Sequence, residues 1–408
     1  MWEQIRANKR NSILLLFLMA AVLGSIGWTI GMAYVPNPNG GILGLGAALT
    51  VWLILAMVSF SSGDAIFLAA SKAVPVEKSV HPQLFNIVEE MAIAASLPMP
   101  KVYIINESAP NAFATGRNPQ NASIAVTAGL LGRLNRDELQ GVVAHEMSHI
   151  LHRDILFVTI AGVMLGAITM ISQIFLRSMF YGSMYGGGGR RYSSRDKNAG
   201  GAQAIMLLIA IVCAILAPIM ATLLYFALSR KREYLADAGG ARLTRYPEGL
   251  ASALEKISQN TVPLSVANKA SAPMYIVNPL QKEGMKLSDL SSTHPPISER
   301  IKILRGMSGA SFADYSDAFK TTTHSAVPIP SSAMKTVEHL EIRQASAQQS
   351  TGYKKQTRDI GDIMQRAGGY KFIDCSCGLK MKIPPNFTGS TVQCPRCGTS
   401  HNIDTMAN

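Results

Sequence analysis

Ala144-His145-Glu146-Met147-Ser148-His149 is the stretch on which the reading of this 408-residue chain turns. Two histidines stand four apart, with a glutamate beside the first. On an α-helix, positions i and i+4 share a face, so both imidazoles can reach one Zn²⁺. Glu146 then sits next to the metal, where a general base for a bound water belongs. Residues 139–149 read LQGVVAHEMSH, an apolar, proline-free run in which Gly141 is the only weak helix former. A helix apolar around its histidines is buried, and a buried histidine needs a partner or a metal. Asn135 and Glu138 have capping-box spacing just upstream. The plainer alternative is a surface helix carrying two unrelated histidines.

A hydrolytic zinc site of this kind needs a third protein ligand. His152 is close in sequence, but 145, 149 and 152 climb about 10 Å along one rigid helix and cannot converge on an ion bound at about 2.1 Å. Glu233 is the better candidate, in Arg232-Glu233-Tyr234-Leu235-Ala236-Asp237. Glu233 and Asp237 are again i and i+4. Glu233 can ligate, while Asp237 can accept the free ring N–H of a ligand histidine. Alone, the pair also reads as surface acids balancing Arg230, Lys231 and Arg232.

The composition points to a membrane. The chain is 48% hydrophobic with mean hydropathy +0.17, too apolar for an ordinary soluble protein of this length. Residues 11–63 carry no Asp, Glu, Lys or Arg. A Pro/Asn/Gly turn at 36–41 splits them into 11–35 and 42–62, each about long enough to cross a bilayer. Residues 155–176 and 202–228 are two further charge-free runs. Arg6, Lys9 and Arg10 precede the first span, so the positive-inside rule puts the N-terminus in the cytoplasm of a multi-pass cell (inner) membrane protein. Counting spans returns His145, His149, Glu233 and the C-terminus to that side. The loop 177–201 opposes the rule, with Arg177, Arg190, Arg191, Arg195 and Lys197 against Asp196. The net charge of +12 fits anionic lipid head groups. No nucleic-acid-binding motif accompanies it.

Between the spans, residues 79–97 read as an amphipathic helix, 101–105 and 123–127 as strands, 111–116 as a turn, and 64–76 as a link. A core-facing helix starts near Pro247. Residues 307–365, rich in Ser, Thr, Ala and Gln, read as a flexible linker. Cys213 lies in the fourth span and reads as inert. Cys375, Cys377, Cys394 and Cys397 form a CxC, sixteen-residue, CxxC pattern suited to a closed tetrahedral zinc, with two disulfides as the alternative. Residues 379–383 and 391–393 would be strands of a zinc ribbon, and His401 is redundant to a four-cysteine shell.

These motifs resemble the HtpX-type membrane zinc metallopeptidases, a gluzincin family related to the CAAX prenyl-protein endopeptidases. The resemblance covers about 10–306 and rests on NAFATG (111–116), AHEMSH (144–149), HRD (152–154), REYLADAGGA (232–241) and STHPPISERI (292–301). It implies that His145, His149 and Glu233 bind zinc, that Glu146 is the general base, and that Asp237 orients a ligand histidine. His294 and Arg300 would stabilise the oxyanion or organise the site; read from the residues alone, they fit equally a helix N-terminus and a surface arginine. Asn111 and Ala112 resemble the edge segment on which gluzincins pair substrate backbone. The cysteine-rich tail departs from the family pattern, and a protein partner for it is one reading.

The expected architecture is a membrane-embedded α+β zincin, mostly helical with a small β-sheet and about four transmembrane helices, plus a small C-terminal zinc ribbon. Its parts are an N-terminal transmembrane hairpin (1–65), a peptidase domain (66–306), the linker (307–365) and the ribbon (366–408). The expected activity is endopeptidase cleavage of membrane or misfolded proteins, in membrane protein quality control. The rivals are an inactive membrane adaptor that recruits partners through the ribbon, and a prenyl-protein CaaX endopeptidase.

Overall fold

The chain begins with a helical hairpin, α1 (Trp2–Tyr34) and α2 (Pro38–Ala70). The computed structural model describes residues 2–35, 37–185, 197–267, 271–279, 295–325, 329, 334, 340–346 and 353–403. Asn37 caps α2 by accepting the Gly40 N–H, and Pro38 occupies the first turn, where its missing N–H costs nothing. The two helices touch backbone to backbone. A Cβ on Gly31 would lie 2.1 Å from Gly40 O, and one on Gly44 would lie 2.1 Å from Gly27 O. Glycines four apart on both helices therefore set the spacing, as in membrane helix pairs. α2 does not stop near 62 as expected. Ser62 (φ −138°) bends it and the helix continues to Ala70, so most of the expected link is helical.

A four-stranded sheet follows, from β1 (Ala73–Pro75), β2 (Lys101–Ile105), β3 (Ala112–Gly116) and β4 (Ala122–Thr127), in the order β1-β2-β4-β3. β2 and β4 are parallel; the outer pairs are antiparallel. β3, the expected turn at 111–116, is an edge strand buried along its whole length. α3 (Pro82–Ala94) is shorter than the expected 79–97, because His81 caps it through Nδ1 and the Leu84 N–H. Leu84, Ile87, Val88 and Met91 of α3 join Val102, Ile104, Ile124 and Val126 of the sheet in one core. α4 (Ala128–Arg133) and α5 (Arg136–Leu151) complete that layer, and the Asn135/Glu138 capping box forms as its spacing implied.

α6 (Ile155–Tyr185) and α7 (Lys197–Thr244) return to the hairpin. Leu15, Met19, Leu23 and Ile26 of α1 pack against Phe157, Ile160, Met164 and Ile168 of α6. The outer faces stay apolar: Phe17 is 62% exposed and Leu43 70%, a surface that a bilayer covers. Among the described residues, three helices are long and apolar enough to cross a membrane: Ser12–Tyr34, Pro38–Ala70 and Ile155–Ser178. The fourth expected span belongs to α7, a single 48-residue helix whose described apolar run, Leu207–Thr222, is shorter than the other three. α7 then continues unbroken through Glu233 and Asp237.

α8 (Pro247–Ser258) and α9 (Ile297–Arg305) close the core. Within the expected flexible linker over 307–365, the described residues include two helices packed on the core. α10 (Phe312–Thr323) is a capped helix with Tyr315 and Phe319 buried, and α11 (Tyr353–Ala367) packs Ile360, Ile363 and Met364 on the core. At the C-terminus, β5 (Lys371–Asp374) pairs with β6 (Lys380–Ile383), and β7 (Thr391–Gln393) with β8 (Ser400–Asn402).

Candidate metal centre

α5 is buried on almost every side: Val142 through Ser148 are each 2% exposed or less. Two contacts explain its glycine and that of its neighbour. A Cβ on Gly141 would lie 2.6 Å from the Leu250 N where α8 crosses, and one on Gly239 would lie 2.1 Å from Ser148 Oγ where α7 crosses. Glycine is what lets α7 lie close enough to bring its carboxylates to the histidines.

The three expected donors converge. His145 Nε2 and His149 Nε2 are 3.2 Å apart. Glu233 Oε2 lies 3.6 Å from His145 Nε2, and Oε1 lies 3.6 Å from His149 Nε2. One donor atom from each residue falls within 4.8 Å of the others. His152 is not among them. It is buried and its Nδ1 stands 2.8 Å from the Ser148 carbonyl, and burial lowers its pKa to about 4.

Each histidine is held from behind. His145 Nδ1 is 3.0 Å from Asp237 Oδ1. His149 Nδ1 is 3.0 Å from Asp154 Oδ2. Such carboxylate contacts fix the tautomer and aim the other ring nitrogen at the metal. Asp154 had no assigned role in the sequence, although its HRD motif was visible. Arg153 adopts a left-handed conformation (φ 56°) that ends α5, and the Asp154 N–H returns to the His149 carbonyl at 3.2 Å. That turn swings the Asp154 side chain back under its histidine.

Arg300 is fully buried, which removes the surface-arginine reading. Its Nε and Nη2 grip both oxygens of Asp237 at 2.8 and 2.7 Å, and Nη1 donates to the Ile276 carbonyl at 3.1 Å. The fork–carboxylate geometry is the strong form of this pair. His294 lies outside the described residues. Asn111 and Ala112 meet the chain itself: Asn111 Nδ2 donates to the Val277 carbonyl at 2.8 Å, and the Ile276 N–H donates to the Ala112 carbonyl at 2.9 Å.

Glu146 is 2% exposed and its carboxylate accepts the Ala114 N–H of β3. Burial pushes its pKa above the ordinary 4.5, with His145 and His149 pulling the other way. Burial also opposes charge on His149, yet Asp154, Glu233 and Glu146 raise it to about 10. The carboxylates thus make a place for positive charge. Two neutral imidazole nitrogens and a carboxylate, backed by Asp237 and Asp154, are the donor set of a hydrolytic divalent metal.

The second group is shallower. The Cys375 and Cys397 sulfurs are 3.3 Å apart and those of Cys377 and Cys394 3.6 Å. All four thiols are free and their sulfurs lie within 4.8 Å of one another. Sulfurs around a tetrahedral zinc stand about 3.8 Å apart, given a Zn–S bond of about 2.3 Å. His401 stays outside the group.

Residues 78–308 match the model of peptidase family M48. A protease HtpX homolog of Caldanaerobacter subterraneus subsp. tengcongensis is 44% identical over 308 residues, covering 75% of this chain and 98% of the relative. One from Dictyoglomus thermophilum is 45% identical over 306 residues, covering 75% and 94%. One from Streptococcus gordonii is 43% identical over 307 residues, covering 75% and all of the relative. The crystal structure of S. mikatae Ste24p aligns with 74% of this chain and 67% of its own, at TM-score 0.38 and 19% identity. With the family match and these relatives beside the converging histidines and glutamate, the chain belongs to peptidase family M48, on its HtpX branch, and is a membrane-bound metalloprotease.

Proposed function

We propose that the chain is a zinc endopeptidase that cuts membrane proteins close to the bilayer surface on the cytoplasmic side. The observation that carries this reading is α7. One helix runs from an apolar stretch into Glu233 without a break, so the metal donors stand within a few turns of the membrane. Unfolded or mistargeted membrane segments are the substrates such a position reaches, which suits a role in quality control. A second zinc, held by Cys375, Cys377, Cys394 and Cys397, would be structural, since four thiolates leave no position open.

Zinc at His145, His149 and Glu233 would supply a Lewis acid that acidifies water and polarises a peptide carbonyl. The protein does the rest. Glu146, adjacent to the donors and raised above the ordinary glutamate pKa, takes the water's proton and passes it to the leaving amine. Asp237 and Asp154 keep His145 and His149 aimed, and Arg300 keeps Asp237 charged and in place. Arg300 is therefore an organiser of the site: it grips Asp237, bonds the Ile276 carbonyl, and holds Nη1 3.6 Å from Glu233 Oε2. Asn111 and Ala112 bond the 276–277 segment and, by resemblance, lie on the edge that pairs substrate backbone. His294, by resemblance, supports the developing oxyanion.

The membrane part of the proposal is tested by presenting one cleavable sequence twice in proteoliposomes, once free and once fused to a transmembrane anchor. The anchored form should be cut at least tenfold faster. Equal rates would remove the claim that membrane proteins are the substrates, while leaving the peptidase itself intact.

A further inference from the structure

The family match ends at residue 308, yet α10, residues 340–346 and α11 are fastened back onto the peptidase domain. Tyr315 of α10 is wholly buried, and Phe319 meets Tyr234 of α7 edge-on at 4.9 Å. α11 presses on α4: a Cβ on Gly132 would lie 2.0 Å from Ile360. The ribbon is pinned to α11 by Asp362, which pairs with Lys380 at 3.2 Å and Lys382 at 2.8 Å.

Between α10 and α11, residues 340–346 cross the ends of two helices. Arg343 Nη2 donates to Asp137 Oδ1 at 2.7 Å and to Gln140 Oε1 at 2.8 Å, both on the first turns of α5. Its Nε donates to the Thr244 carbonyl at 3.0 Å, and its backbone N–H to the Arg245 carbonyl at 2.8 Å, at the C-terminal end of α7. The guanidinium lies 4.8 Å from the centre of the Tyr246 ring. Ser346 gives its N–H to Asp137 Oδ2 at 2.7 Å and its hydroxyl to Oδ1 at 2.8 Å. Asp137 is only 3% exposed, and a carboxylate so covered needs such partners. A cation at the C-terminal end of α7 and an anion in the first turn of α5 also suit both helix dipoles.

α5 carries His145, Glu146 and His149; α7 carries Glu233 and Asp237. We propose that Arg343 is a positioning residue for the hydrolytic site: it ties the first turn of α5 to the last turn of α7. The inference rests on the peptidase reading for its effect on rate, but not for its effect on the helix ends.

The test uses the full chain in detergent, as wild type, Arg343→Ala and Arg343→Lys. Two quantities are measured: amide hydrogen exchange at 137–141 and 240–245, and kcat and KM on casein. Arg343→Ala should speed exchange at both helix ends by about tenfold, the loss of one charge-assisted contact. It should lower kcat several-fold and leave KM unchanged. Arg343→Lys should recover part of kcat, since one ammonium cannot reach both helices. Should Arg343→Ala fail to accumulate, Ser346→Ala removes a bond to Asp137 and should speed exchange at 137–141 alone. Unchanged exchange at both ends with unchanged kcat overturns the tie, as does unchanged exchange at 137–141 in Ser346→Ala. Faster exchange in Arg343→Ala, beside a zinc-loaded wild type that cleaves nothing, leaves the tie standing and defeats the peptidase reading instead.

Discussion

The two candidate metal groups of this chain are built in opposite ways. In the peptidase domain, three donors come from two long helices, and each rests on a deeper layer: His145 on Asp237, His149 on Asp154, Asp237 on Arg300. In the ribbon, four sulfurs come from the two short turns that close its hairpins, and Cys397 is exposed. The first group spends much buried polar structure on aiming three donors, which would leave a tetrahedral ion one open position. The second fills its own shell and needs little behind it. An open, pre-aimed set is what hydrolysis requires; a closed set is what folding a small module requires.

The contrast breaks most severely at Arg300. Arg300→Ala strands the fully buried Asp237 carboxylate, and losing one partner of a buried pair costs about 3–5 kcal/mol. The thermal midpoint of the peptidase domain should fall steeply in calorimetry, and the ribbon should keep its metal. Asp154→Asn probes the deeper layer more gently. Removing a carboxylate behind a ligand histidine weakens metal affinity by about 10–100-fold, so competition with a chelator should strip the peptidase site first and the four-cysteine site unchanged. Cys377→Ser tests the other side. Metal content should drop by one equivalent, and casein cleavage should change far less than in either variant above.

His145 and His149 were legible from helical spacing, whereas Glu233 and Asp237 share a face but read equally as surface acids until set beside that motif and the family resemblance. The membrane hairpin was legible because 11–63 holds no charge. What was missed depends on geometry that spacing does not encode. Asp154 reaches His149 only through the left-handed Arg153. β3 was hidden by its small residues and by Gly116, whose φ of +141° marks a strand end where a Cβ would lie 2.3 Å from Asn121 O. The stretch 307–365 reads as solvated because its anchors, among them Tyr315, Phe319 and Arg343, are scattered among Ser, Thr and Gln and make no periodic face.

The most direct test of the account compares Glu146→Gln with wild type, both purified in detergent, stripped by chelator and reloaded with zinc. Metal content and casein cleavage are read from the same samples. Equal metal in both and cleavage in wild type alone are expected, with the variant slower by at least about a hundredfold, the scale of a lost general base. Equal cleavage by the variant, or no cleavage by either with zinc bound, would contradict the account.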